Sequence, residues 1–252
     1  MATRIFKQTG RKTEQIYHSI LIFFQFFGQL IYNLLFNWNA ILWQNTVIST
    51  LRAGAWIFIP LSILSMLMGM SLTLSIHYIL SRFNLQNQAM FIAQNTIITD
   101  FSPLPIGFVL CVQCGLNLIN SDHPSLHHTP EKVILETIIP LIAGINCTAI
   151  LLYAYVSFSF FLSIFFTFYY FLQTNTDEYL LRLGSIIRPI DIIISIGKTM
   201  IFATIASLTA GYYYYDVAKR VIPTRKAVSR IITRGLFWLI VISVLIKIFF
   251  SI

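Results

Sequence analysis

Apolar residues in this chain do not alternate with polar ones; they run. Five segments, about 54–80, 101–120, 133–172, 190–214 and 235–251, each supply the roughly 20 apolar residues that a helix needs to cross a hydrocarbon core. The third is long enough for a broken or steeply tilted helix, or for one span plus a shallow re-entrant piece. A sixth stretch, about 15–36, has a different pattern. Gln25, Gln29 and Asn33 recur every four positions and draw a polar stripe along an otherwise apolar helix, as expected of a helix lying along a membrane surface. Asn175 to Gly184 predicts a short amphipathic helix, with Asn175 or Thr176 as its cap and Asp177 and Glu178 in its first turn. The predicted fold is an all-α membrane protein. It has an amphipathic interfacial N-terminal helix, about five transmembrane helices and a short outer helix, in one unit over residues 1–252, with 1–14 as a basic tail.

Composition agrees with the runs. The chain is 57% hydrophobic and 10% charged, an apolar surplus that lipid accepts and water does not. Its net charge of +8 would admit a nucleic-acid partner, but the positives sit beside apolar spans. Arg4, Lys7, Arg11 and Lys12 form one cluster, and Lys219, Arg220, Arg225, Lys226, Arg230 and Arg234 form another. With the amino terminus in the cytoplasm, the inner segments hold twelve of the seventeen Lys and Arg residues, and the outer loops keep only Arg82, Arg182 and Arg188. Such clusters favour an anionic leaflet. Tyr212 to Tyr215, at the inner end of the fourth span, fit an aromatic interface belt. Enrichment in Phe, Ile, Tyr and Asn is that of an AT-rich genome, placing the chain in a bacterial inner membrane or, alternatively, an organelle envelope.

Candidate chemistry is sparse. There is no nucleophile–base pair, no zinc-protease helix and no phosphate-binding loop, so the chain is not expected to be an enzyme, nor to carry a catalytic residue, metal or cofactor of its own. Cys111 and Cys114 have C-x-x-C spacing but share one helix face, as buried unpaired thiols do. Asp122, His123, His127, His128 and Glu131 are the one metal-like constellation. Pro124 and Pro130 break any regular helix there, which favours a polar cytoplasmic turn that touches a partner subunit. Arg230 and Arg234, four apart, either anchor the last span at phosphate level or contact a partner. Asp100 is the acid of most interest: it is either a solvated cap before Phe101, Ser102 and Pro103 or an ionised group facing a cavity. Asp191 and Lys198, seven apart, fall on one helix face, and Lys198, within an apolar run, either pairs with an acid on a neighbouring helix, snorkels outward or contacts a lipid headgroup. Ile63, Met66, Met70 and Leu74 recur at helical spacing and would suit lipid tails or ordinary packing, with Gly69 permitting close dimer contact.

Several of these pieces, in this order, resemble the MlaE-type permease family, the membrane subunits of ABC-type lipid transporters that work with Mce-domain proteins. Gly69-Met70-Ser71-Leu72-Thr73-Leu74-Ser75 resembles the family's G-x-V-L-A-L-Q, with Ser75 for Gln. Thr99-Asp100-Phe101-Ser102-Pro103 is similar to R-E-L-G-P, Gln113-Cys114-Gly115 to R-x-G, and Val228-Ser229-Arg230-Ile231-Ile232-Thr233-Arg234 to V-G-R-A-T-T-R. Asp191 and Lys198 match an acid and a lysine seven apart. The resemblance implies a homodimer with a central lipid-binding cavity, to which Ile63, Met66, Met70, Leu74, Ser75, Asp100 and Pro103 would contribute. It also implies phospholipid exchange with an Mce-domain protein, driven by ATP and Mg on a separate ATPase subunit. Asp122, His123, His127, His128, Arg230 and Arg234 would then couple to that partner. Two departures stand out. The segment from Asn117 to Thr129 is shorter than its family counterpart and lacks the acidic coupling helix. Lys247 stands where the family usually has an aspartate. A non-transporting membrane scaffold that keeps the permease fold is the alternative reading.

Overall fold

A computed structural model describes residues 22–33, 43–54, 57–120, 133–172 and 189–250, and all regular structure among them is helical. Helix α1 comprises residues 22–33. It is followed by α2 (Trp43–Gly54), α3 (Phe58–Arg82), α4 (Gln86–Thr96), α5 (Pro103–Asn120), α6 (Ile139–Phe166), α7 (Pro189–Ala218) and α8 (Thr224–Phe250). Wider, five-residue π turns join α4 to α5 (Ile97–Phe101) and flank α6 (Ile134–Ile138 and Thr167–Phe171). Five helical runs are long and apolar enough to cross a membrane: Phe58–Arg82, Gln88–Ile119, Ile134–Phe171, Pro189–Ala218 and Thr224–Phe249. This is the all-α membrane architecture that the apolar runs predict.

The second and last spans begin earlier than expected, the last at Thr224 and not near 235, while the third takes the unbroken form among those expected of it. The second reaches back to Gln88, so most of the 81–100 segment expected as an outer loop is helix. Gln86, Gln88, Gln94 and Asn95 make that segment look polar, but Ala89, Met90, Ala93 and Ile97 form a buried stripe at helical spacing. The third span is one continuous helix of 38 residues, with neither a break nor a re-entrant piece. At 1.5 Å per residue it is about 57 Å long, well beyond a hydrocarbon core of about 30 Å. It forms the centre of the bundle, packing against α2, α3, α5 and α7.

A helix this buried must keep its polar side chains satisfied without water. Several hydroxyls do so by donating back to the carbonyl four residues earlier: Thr148 to Gly144 at 2.8 Å and Thr167 to Ser163 at 2.8 Å in the third span, Thr73 to Gly69 at 2.8 Å in α3; those of Tyr153 and Ser163 are buried without a partner among the described residues. Glycines set the closest crossings. A Cβ on Gly69 would meet Ser163 and lie 2.9 Å from Phe160 of α6, so Gly69 serves packing within this chain and not the dimer contact expected of it. A Cβ on Gly235 would lie 2.8 Å from Cys111 Sγ, which fixes how close α8 comes to α5.

The four consecutive tyrosines are not a lipid-facing belt. Tyr212, Tyr213, Tyr214 and Tyr215 are 9, 1, 2 and 1% exposed. At 100° per residue, four successive side chains tile a helix all the way round, and each meets a different neighbour. The Tyr215 hydroxyl donates to Gln29 Oε1 of α1 at 2.8 Å, and that of Tyr214 donates to the Cys114 carbonyl of α5 at 3.0 Å. Tyr213 lies beneath the Arg234 guanidinium of α8, and the Tyr212 ring meets Phe23 and Phe26 edge-on. The end of α7 is thus enclosed by α1, α5 and α8. The polar stripe of α1 accordingly turns partly onto α7, with Gln25 accepting from Lys219 at 3.4 Å and Asn33 buried. Phe23, Phe24, Phe27 and Tyr32 are left exposed.

Candidate functional site

The sequence Asp100-Phe101-Ser102-Pro103 determines the local backbone from which the site is built. Proline has no N–H, so Pro103 leaves carbonyls of the preceding turn without their helical donor. The chain widens there into a π turn, with the Ser102 N–H donating to the Ile97 carbonyl at 2.8 Å. The freed carbonyls of Ile98 and Thr99 take donors from α7 instead: Ser195 Oγ at 2.7 Å and Lys198 Nζ at 3.1 Å. The same device recurs at the start of the third span. There Pro140 releases the Glu136 carbonyl, which accepts from Asn45 Nδ2 of α2 at 3.0 Å.

Lys198 also reaches Asp100 Oδ1 at 3.2 Å, and Lys247 of α8 reaches Asp100 Oδ2 at 3.1 Å. One carboxylate therefore holds two ammonium groups, and three helices close on it. The burial is graded: side-chain exposure is 15% for Lys198, 31% for Asp100 and 70% for Lys247. Lys198 is committed to the protein, while Lys247 keeps N–H donors turned to its surroundings. The cluster lines a pocket of about 140 Å³ with Pro103, Ser243 and the apolar Phe101, Leu104, Phe202 and Ile246. A net charge of +1 beside an apolar wall is suited to an anionic group attached to something greasy. The pocket admits a headgroup-sized moiety and not a whole lipid.

Among the expected site residues, Asp100 and Pro103 lie in this pocket. Ile63, Met66, Met70, Leu74 and Ser75 lie elsewhere, on a half-exposed to exposed flank of α3 that turns away from α6. Lys198 pairs with Asp100 on another helix, as a lysine within an apolar run was expected to pair with an acid of a neighbouring helix, and the freed Thr99 carbonyl accepts from it as well. Lys247, noted in the sequence only as a departure from the family pattern, and Ser195, not singled out there, complete the arrangement. The signal available was Pro103, which announces carbonyls in need of a donor.

Arg230 is half-buried near Asp216. Arg234 is exposed at the edge of a second cavity of about 640 Å³, formed by α1, α7 and α8 and walled largely by aromatic side chains. Asp122, His123, His127 and His128 fall outside the described residues, as does the 175–184 segment. Among the described residues no group of His, Cys, Asp and Glu has the makings of a metal site. Cys111 and Cys114 are free and buried, and Cys147 is free and exposed.

Residues 132–252 match the model of the permease MlaE family, a stretch that spans α6, α7 and α8. No curated protein matches the chain. Lys198, Lys247, Arg230 and Arg234 lie inside the matched stretch, and Asp100 precedes it.

Proposed function

From the premise that residues 132–252 are of the permease MlaE family, we propose that this multi-pass membrane protein is the membrane subunit of a phospholipid transporter. Two copies would enclose a lipid cavity. A separate ATPase subunit would drive it, with ATP and Mg bound there, and an Mce-domain protein would receive or deliver the lipid. The amino terminus would face the cytoplasm of a bacterial inner membrane, as the distribution of Lys and Arg favours. Work on this chain is binding and conformational change, with no bond broken.

The observation that carries this reading is the Asp100–Lys198–Lys247 cluster. Charged side chains in membrane spans are costly and sit where a substrate or a moving helix needs them. Here they tie three spans together through contacts that an anionic headgroup at Lys247 could compete for. α3 and α8 are the least buried spans, and so have the free surface that a second copy would cover.

Purification in gentle detergent, with mass spectrometry of the proteins and lipids that accompany the chain, tests the proposal. An ATPase subunit, an Mce-domain protein and retained phospholipid are expected, and Asp100→Ala should then slow lipid transfer at least ten-fold. The short 117–129 segment, without an acidic coupling helix, favours a second reading: a non-transporting scaffold that keeps the permease fold. Partners lacking any nucleotide-binding subunit would decide for the scaffold.

A further inference from the structure

Helix α8 is held to the bundle unevenly along its length. Its buried positions are Ala227, Val228, Ile231, Gly235 and Leu239, which recur at helical spacing. Its approach to α5 is closest over the same stretch. A Cβ on Gly115 would lie 3.2 Å from Ile232, one on Gly235 2.8 Å from Cys111, and one on Gly107 3.3 Å from Leu239. Gly107, Cys111 and Gly115 recur every four positions on α5, so the two helices meet along one seam of close approach. Beyond Leu239 the seam ends. From Ile240 to Phe249 every side chain of α8 is half-buried or exposed. There the helices enclose the pocket of about 140 Å³, bridged by the 3.1 Å contact of Lys247 with Asp100.

The two ammonium groups on Asp100 differ in what breaking each would leave behind. Lys198 is 15% exposed and also donates to the Thr99 carbonyl, so it stays with the start of α5. Lys247 is 70% exposed and, once released, needs no new partner from the protein. Asp100 then keeps Lys198, and no buried charge is stranded. An ion pair that parts without stranding a charge, near the free end of a helix that pivots on a glycine seam, can act as a catch. We propose that Lys247 is that catch: when it leaves Asp100, α8 tilts about the seam at Gly235 and Leu239, and its carboxyl-terminal end swings off α5 and opens the pocket. Where the family pattern has an aspartate this chain has Lys247, so the catch is a device of this chain. It deepens the permease reading by naming what governs access to the pocket. It rests on that reading for the use of the opening, and not for the motion.

Distances between spin labels on the full chain in neutral detergent test the catch. The labels go on Asn95→Cys of α4 and Phe249→Cys of α8, both exposed positions, with Cys147→Ser removing the exposed native thiol. Labelled chain is diluted into unlabelled chain, so that only distances within one chain are read. Leu239 and Phe249 are about 15 Å apart along the helix axis, and a tilt of about 20° moves the label by about 5 Å. Lys247→Met should raise the population at the longer distance about two- to five-fold over the parent, the effect of losing one exposed ion pair. Lys247→Arg should match the parent, with helicity by circular dichroism equal in all three. A label on Phe237→Cys in place of Phe249→Cys, beside the pivot, should not move in any variant. In the parent, raising the salt from about 0.05 to about 1 M should raise the longer-distance population as well, because salt screens an exposed pair. An unchanged distance in Lys247→Met, an equal shift at position 237, or a parent indifferent to salt would overturn the catch. So would Lys247→Arg behaving as Lys247→Met does. If Lys247→Met does not fold, the salt series on the parent decides alone. These distances need neither an ATPase nor lipid transfer. A rigid α8 would remove the catch and leave the permease proposal standing, and partners without a nucleotide-binding subunit would remove the permease and leave the catch.

Discussion

The pocket at Asp100 and the groove at Arg234 share two walls, α7 and α8, and differ in the third. α5 closes the pocket and α1 closes the groove. The third helix decides the chemistry. α5 brings a proline, an acid and two freed carbonyls, so the pocket is small and its polar groups are held in fixed hydrogen bonds. α1 brings phenylalanines and no charge, so the groove is large and aromatic, with Arg234 at its edge over the Tyr213 ring.

Substitutions can break this contrast in order of severity. Gly235 lies on α8, which both sites share. Gly235→Val would drive a side chain into Cys111 and push α8 off α5, costing about 1–3 kcal/mol. Both sites should suffer, read as a lower melting temperature in detergent together with loss of retained lipid. Asp100→Asn leaves Lys198 with the Thr99 carbonyl as its remaining partner at the pocket. After allowance for the partial exposure of the carboxylate, about 1–2 kcal/mol of stability should go, and Lys198→Met in the same chain should recover part of it. Tyr215→Phe removes one hydrogen bond between α1 and α7, worth about 1 kcal/mol. Its effect should be local, seen as faster hydrogen exchange in α1 with an unchanged pocket. Lys247→Ala should be mildest, at about 0–1 kcal/mol, because that lysine is largely exposed. A larger loss of stability than from Asp100→Asn would invert the gradation of burial on which the pocket is described.

Much of the fold was legible because each span exceeds the length a bilayer demands, and no soluble arrangement hides that much apolar surface. The missed parts share one physical cause: they depend on which helices meet. Residues 86–96 carry enough Gln and Asn to look like a loop, and only their packing on α3 shows which face is buried. α2 escaped notice because twelve residues with a weak apolar bias declare themselves only against α6, where Thr50 and Thr148 interlock around Gly144. The tyrosine run was expected to face lipid because composition cannot reveal that three helices converge on it. Asp100 and Lys198 were each legible as charges in need of a partner, but their pairing was not. The sequence pointed to an acid on a neighbouring helix without saying which, and the donor–acceptor arithmetic of Pro103 brings Lys198 to Asp100. The histidine segment lies outside the described residues, and its role rests on sequence alone.

The tyrosine-ringed end of α7 has a consequence for how the chain is made. Gln29 and Tyr215 are 186 residues apart in sequence. At about 5–20 residues per second, a ribosome needs about ten to forty seconds to travel from one to the other. For that interval α1 has been synthesised but its docking surface has not, and its apolar side chains must be held by the lipid surface or by a chaperone. The completion of α7 therefore sets the time at which the amino-terminal helix can lock. A translational pause before Tyr212 would prolong the exposed state of α1, and a chain truncated ahead of it would leave α1 without a seat.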